Sequence, residues 1–204
     1  MPCFRRILIA VLLLSVLSPG ASWAAAAQKP QDIVRTFYAA LTETMKQGKS
    51  LGFDGRYARL EPVIKNTFNF PLMTRLAVGF GWARATQAEK DELIDAFSAF
   101  SIATYANRFS SYDGEVFTVT GEKKSETGVV VETTLKPKND DAVMLNYLMR
   151  ADKDGKFRIV DVFMNGTISE LATRRSDFSS IVRRQGIPAL IRSLKEKTAQ
   201  LRAS

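Results

Sequence analysis

Histidine is absent from the 204-residue chain, and Cys3 is its only cysteine. The commonest general base near neutral pH is therefore missing, and so are a disulfide framework, a thiolate metal site and, beyond the first residues, a cysteine nucleophile. Apolar runs are short as well. The stretch Ile7–Leu17 falls below the ~20 residues that a membrane-spanning helix needs. The chain carries no internal repeat, no low-complexity tract and no recognisable nucleic-acid-binding motif. Much enzyme chemistry is excluded by these absences before any fold is considered.

What is present begins with an export layout. Arg5 and Arg6 precede the apolar run Ile7–Leu17, Pro19-Gly20 breaks it, and Ser22 and Ala24 supply small residues at the positions a signal peptidase reads. Residues 1–24 are expected to be a cleavable signal peptide for delivery to the periplasm, leaving residues 25–204 as one domain. Cys3 lies upstream of the apolar run, so it is not the modified cysteine of a lipoprotein. A chain of that length buries ~70% of its unfolded surface without covalent staples. The formal charge of +8 falls by two, to +6, once Arg5 and Arg6 are removed. Positive residues gather late, at Arg174-Arg175, Arg183-Arg184, Arg192, Lys195, Lys197 and Arg202. They favour transient encounter with an anionic membrane or an acidic partner, or else form a solvated helix face.

Periodicity divides the rest. Ile33, Val34, Phe37, Tyr38, Leu41 and Met45 fall on one helical face after Pro30, with Gly48 ending the pattern. A second helix is expected to carry Tyr57, Leu60, Val63, Ile64 and Phe68, and a short one Leu72, Met73, Leu76 and Val78 before Gly79-Phe80-Gly81. Thr86 and Glu89 form a capping box for a helix holding Leu93, Ile94, Phe97, Phe100, Tyr105 and Phe109. After Asp113-Gly114 the period becomes two, predicting strands at Val116–Val119, Val129–Leu135, Val143–Met149 and Phe157–Phe163. Helices are expected to resume over Ile168–Phe178, Ile181–Arg184 and Ile187–Leu201, with Pro188 in a permitted first turn. The order of helices, antiparallel sheet and helices predicts an α+β fold.

Four segments carry a resemblance: FRIVDVFMNGTISELATRRSDFSSIVRRQGIPALIRSL (Phe157 to Leu194), GFDGRYARLEPVI (Gly52 to Ile64), FGW (Phe80 to Trp82) and TYANRFSSYDGE (Thr104 to Glu115). In this order they resemble the toluene-tolerance or MlaC-type family of periplasmic lipid carriers. The GFDGRYARLEP and Asn165-Gly166-Thr167-Ile168-Ser169 segments resemble most the hopanoid-biosynthesis-associated subgroup called HpnM. The resemblance implies a curved four-stranded antiparallel sheet closed by helices around an apolar lipid cavity. It also implies a hopanoid or phospholipid ligand, an inner-membrane ATP-driven transporter with its substrate-binding component, and an outer-membrane complex as a further partner. No enzyme activity, cofactor or metal is expected. The expected lipid-binding lining comprises Leu72, Met73, Leu76, Phe97, Phe100, Tyr105, Phe109, Leu145, Tyr147, Met149, Val160, Val162, Met164, Ile187 and Leu190. Such residues supply apolar area that adapts to irregular tails. A one-residue error of strand phase would exchange Val160, Val162 and Met164 for Phe157, Ile159 and Phe163.

Asp161 sits among apolar strand residues and admits two readings: a structural acceptor of hydrogen bonds or partner of an Arg, or a proton-transfer base in a ketosteroid-isomerase-like cone fold. No histidine and no second acidic residue are fixed beside it by spacing, which favours structure over catalysis. Arg56, Arg59 and Arg75 are candidates for an anionic head group, and Trp82 for contact with a lipid. A lipid-modifying enzyme and a non-lipid protein adaptor with a solid core are the competing readings.

Overall fold

The computed structural model describes residues 28–204, so the expected signal peptide lies outside the described residues. The chain runs α1 (Pro30–Lys46), α2 (Gly48–Thr67), α3 (Phe70–Val78), a 3-10 segment (Gly79–Arg84) and α4 (Gln87–Arg108). It continues through strands β1 (Val116–Ser125), β2 (Gly128–Lys136), β3 (Val143–Ala151), β4 (Phe157–Met164) and β5 (Ile168–Ser169), then α5 (Glu170–Gln185) and α6 (Ile187–Ala203). The strands form one antiparallel meander in chain order. The α+β order expected from periodicity is present.

Local chemistry explains the helix ends. Pro30 opens α1 where its missing amide hydrogen is unneeded, and the buried face is Ile33, Val34, Phe37, Tyr38, Leu41 and Met45. At α4 the Thr86 hydroxyl accepts from the Glu89 amide at 3.2 Å, and the Glu89 carboxylate accepts from the Thr86 amide at 2.9 Å. This is the reciprocal capping box that the sequence predicts. Asn69 caps α3 by accepting from the Leu72 amide at 3.1 Å.

Three expectations need correction. The sheet has five strands instead of four, because Asn165 and Gly166 both take positive φ (51° and 76°) and turn the chain back on itself. Ile168 and Ser169 then pair with Met164 and Phe163 before the helix starts. Asn-Gly is a strong hairpin signal, and it outweighs the helical reading of Ile168. Second, Ile181–Arg184 is not a separate helix, because α5 runs unbroken to Gln185 and Gly186 ends it at φ 80°. Third, Phe68 lies just beyond α2 and forms a parallel bridge with Ile159 of β4, tying the helical layer to the sheet.

The ladders of the sheet are interrupted at three places. Leu148 faces Asp161 while Met149 faces Ile159, so Val160 is an extra residue in β4. Thr120 is likewise extra in β1. Between β2 and β3 the ladder lapses, and the Asn146 side-chain oxygen accepts from the Thr133 amide at 3.2 Å while the Thr133 hydroxyl donates to the Leu145 carbonyl. Bulges of this kind bend a strand and increase its twist. The Tyr38 hydroxyl of α1 meets the Thr133 hydroxyl at 2.6 Å and the Tyr147 hydroxyl at 3.1 Å, tying helix to sheet through buried polar groups.

Gly48, read from sequence as a helix stop, has a second role. A Cβ there would overlap the Ser110 carbonyl oxygen, so the start of α2 lies backbone against backbone on the segment after α4. Arg56 braces the same junction, donating to the carbonyls of Ala106 at 2.7 Å and Gly48 at 2.8 Å. Gly48→Ala is therefore expected to destabilise the protein by roughly 1–3 kcal/mol through overpacking. A shift of the urea midpoint at unchanged slope would register it, and an unaltered midpoint would show that the junction yields without cost.

Candidate functional site

Helix α4 presents Phe97, Phe100, Ser101, Thr104, Tyr105 and Arg108 to a void. The spacing 97, 101, 104 and 108 keeps one helical face turned inward while its chemistry passes from apolar to hydroxyl to charged. Opposite stand Phe117 of β1, Leu145 and Tyr147 of β3, and Asp161, Val162 and Met164 of β4. Leu41 of α1, Ile64 of α2, Phe68, Phe70 and Met73 of α3, and Glu170, Leu171 and Arg174 of α5 complete the lining. The space is about 980 Å³ counted out through its mouth, of which about 130 Å³ admits the centre of a water-sized sphere.

Its helical wall is a continuous row of rings. Phe178 meets Phe97 edge-on at 5.3 Å, Phe97 meets Phe70 at 6.0 Å, and Phe70 stacks on Phe68 at 5.9 Å. Phe68 then meets Tyr105 at 5.9 Å, Tyr105 stacks on Phe109 at 5.7 Å, and Phe109 reaches Phe117 at 5.9 Å. Paired rings at these separations gain more than their area alone gives, so the wall is stiff as well as apolar. Burial raises the hydroxyl pKa of Tyr105, and likewise that of Tyr147, which its neighbours Tyr105 and Tyr38 raise further; both therefore stay neutral. Among the described residues the Tyr105 hydroxyl makes no side-chain hydrogen bond, although its ring is partly accessible from the void.

Of the expected lining, Met73, Phe97, Phe100, Tyr105, Phe109, Leu145, Tyr147, Val162 and Met164 border the void. The rest do not. Met149 and Val160 are 0% and 1% exposed in the closed end of the sheet, and Ile187 and Leu190 are core residues of α6. Leu72 and Leu76 lie outside the void on α3, whose inward face is the Phe70 and Met73 side. The β4 bulge explains the error of phase. Val162 and Met164 pair with Tyr147 and Leu145, but beyond the extra Val160 it is Ile159 that pairs with Met149. Val162 and Met164 keep the phase read from the sequence, while Ile159 takes the face of Met149 beyond the bulge and, like Phe157 and Phe163, does not border the void. Residues missed were Leu41, Ile64, Phe68, Phe70, Phe117 and Leu171, together with the polar Ser101, Thr104, Arg108, Asp161, Glu170 and Arg174.

Asp161 is buried, and its donors are not arginines. One carboxylate oxygen accepts from the Val162 amide at 2.7 Å and the Leu171 amide at 3.0 Å, and the other accepts from the Ser169 hydroxyl at 2.6 Å. Ser169 in turn accepts from the Ala172 amide at 2.8 Å, so the pair together caps α5. Arg56 is committed to backbone carbonyls and Arg59 to the Gln47 side chain at 2.7 Å, and neither they nor Arg75 border the void. Trp82 also lies elsewhere, with the Lys90 ammonium 5.7 Å from its ring centre. No group of His, Cys, Asp and Glu suited to a metal ion, and no helix long and apolar enough to cross a membrane, occurs among the described residues.

Fold and void together define an α+β protein in which helices and a five-stranded antiparallel sheet border an apolar, aromatic-walled cavity. The MlaC protein family matches residues 35–196, and the chain belongs to that family. The fold is similar to that of the phospholipid-binding protein from Ralstonia solanacearum, solved in complex with a phospholipid, at a TM-score of 0.74 and 23% identity over 85% of this chain and 99% of that one. No curated protein matches the chain.

Proposed function

We propose that the protein is a periplasmic lipid carrier, exported by its N-terminal signal peptide, in which residues 25–204 act as one lipid-binding unit. The observation that carries this reading is the cavity: an aromatic and aliphatic void whose charged lining, among the described residues, is limited to Arg108, Asp161, Glu170 and Arg174. An apolar tail gains about 0.8 kcal/mol for each CH₂ moved from water into such a site, so a dozen carbons supply about 10 kcal/mol before the costs of binding. No reactive side chain is required. The MlaC family membership and the phospholipid named for the Ralstonia solanacearum protein support the same assignment. The void counts against the adaptor with a solid core, and the three donors on Asp161 count against a free catalytic base.

The cargo in this reading is a phospholipid or a hopanoid, with its tails against Phe68, Phe97, Tyr105, Tyr147 and Val162. The partners are an inner-membrane ATP-driven transporter with its substrate-binding component and an outer-membrane complex, between which the carrier contributes to outer-membrane lipid composition. The transport energy comes from the transporter. Native mass spectrometry of protein purified from its own periplasm, followed by organic extraction, is expected to find a lipid at a defined ratio. Protein that is consistently empty would overturn the carrier.

A further inference from the structure

Two arginines border the cavity, and among the described residues neither is fully engaged by the fold. Arg174 is half-buried, its guanidinium 5.2 Å from the centre of the Phe100 ring, and among the described residues its one ionic partner is Glu170 at 3.7 Å. A direct charge-assisted hydrogen bond is about 2.7–2.9 Å long, so this pairing leaves the guanidinium with unmet donors. Arg108, on the facing end of α4, is exposed and has no ion pair or side-chain hydrogen bond among the described residues. Its position contrasts with that of other arginines on the molecule, since Arg56 is spent on carbonyls and Arg158 pairs with Asp152 at 3.1 Å. Asp161 borders the same space, but its carboxylate is saturated by the start of α5 and does not compete for either arginine.

We propose that Arg108 and Arg174 form a clamp for the phosphate diester of the bound lipid, making the carrier selective for a phosphate-bearing head group over a neutral one. The inference rests on the carrier reading and narrows its cargo. Along α4 the lining passes from the apolar surface of Phe97 and Phe100 to the hydroxyls of Ser101 and Thr104 and then to Arg108. Both hydroxyls donate to carbonyls one turn back, at 2.8 Å each, so towards the void they offer lone pairs and no donor for a phosphate. The side-chain cations that border the void, among the described residues, are therefore Arg108 and Arg174, and a guanidinium presents the planar fork that phosphate oxygens match. Glu170 sets the limit of the site's positive charge. It would face any ammonium or hydroxyl beyond the phosphate.

The test compares two lipids with the same tails, phosphatidylglycerol and diacylglycerol, offered together in neutral vesicles to delipidated full-length mature protein, with the retained ratio read by mass spectrometry. Wild type is expected to favour the phospholipid by roughly 10-fold or more, the strength of one charged hydrogen bond. In Arg108→Ala/Arg174→Ala the ratio is expected to fall towards one, and Arg108→Lys/Arg174→Lys should recover part of it. Arg108→Ala alone, at an exposed position, is expected to lower the ratio without altering the melting temperature. A ratio unchanged in the double alanine variant would overturn the clamp while leaving the carrier intact. Wild type that takes up neither lipid would overturn the carrier itself. Glycerol phosphate that displaces the lipid as well as phosphatidylglycerol does would make the arginines a small-anion site and also overturn the proposal.

Discussion

Val162→Trp is expected to leave the protein folded and without its lipid. Val162 lies on β4 directly across from Tyr147, and both side chains border the void. An indole there occupies the path of a tail, and a β-strand accommodates an aromatic residue readily. Displacing only three or four methylene groups forfeits about 3 kcal/mol of transfer free energy, equivalent to roughly a 100-fold loss of affinity. Val130→Trp serves as the control, because Val130 is half-buried one residue from the buried Val131, which pairs with Tyr147, and so lies on the other face of the sheet. Lipid that co-purifies with the control and disappears from Val162→Trp would locate the cargo in this cavity. Equal lipid in both variants would place it elsewhere on the molecule.

How much of this site the sequence discloses depends on the physical scale of each feature. Element identity is written in periodicity: the face from Ile33 to Met45, the Thr86 and Glu89 box and the alternation after Gly114 all appear where the pattern puts them. Strand phase is legible only as far as the first bulge, since Val160 leaves no mark in composition, and the same alternation that places Val162 in the void misplaces Val160. Solid core and cavity wall are chemically alike. Leu190 at 0% exposure and Phe97 at 3% differ in what they face, which no local pattern encodes. The polar part of the lining is legible in the sequence. Ser101, Thr104 and Arg108 continue the stripe begun by Phe97, and a helical face that turns from aromatic to charged marks a way out to solvent. Glu170 and Arg174 became neighbours of that stripe only through the hairpin at Asn165-Gly166 and the short β5, a tertiary consequence of two residues with positive φ.

Asp161→Ala is expected to be the most destabilising single change among the residues around the void. The carboxylate accepts two backbone amides and one hydroxyl, and its removal leaves the Val162 and Leu171 amides without their acceptor and frees Ser169 from the position in which it caps Ala172. Each buried donor left unsatisfied costs about 1–3 kcal/mol, so a loss of about 3 kcal/mol or more is expected, out of the roughly 5–15 kcal/mol that hold a domain together. For a chain of this size that corresponds to a fall in melting temperature of roughly 6–12 °C. Hydrogen exchange should rise first at the start of α5, where the lost acceptor acts. Asp161→Asn separates structure from catalysis, because an amide oxygen still accepts from both backbone amides while no longer serving as a base. It is expected to recover most of the stability and to retain lipid, since the negative charge is not what the tails touch. Abolished turnover of a bound lipid in Asp161→Asn, with lipid retention preserved, would instead restore the enzyme. A melting temperature of Asp161→Ala within about 2 °C of wild type would mean that α5 is held by its packing against α3 and α6, and that the buried carboxylate is kept for something other than the fold.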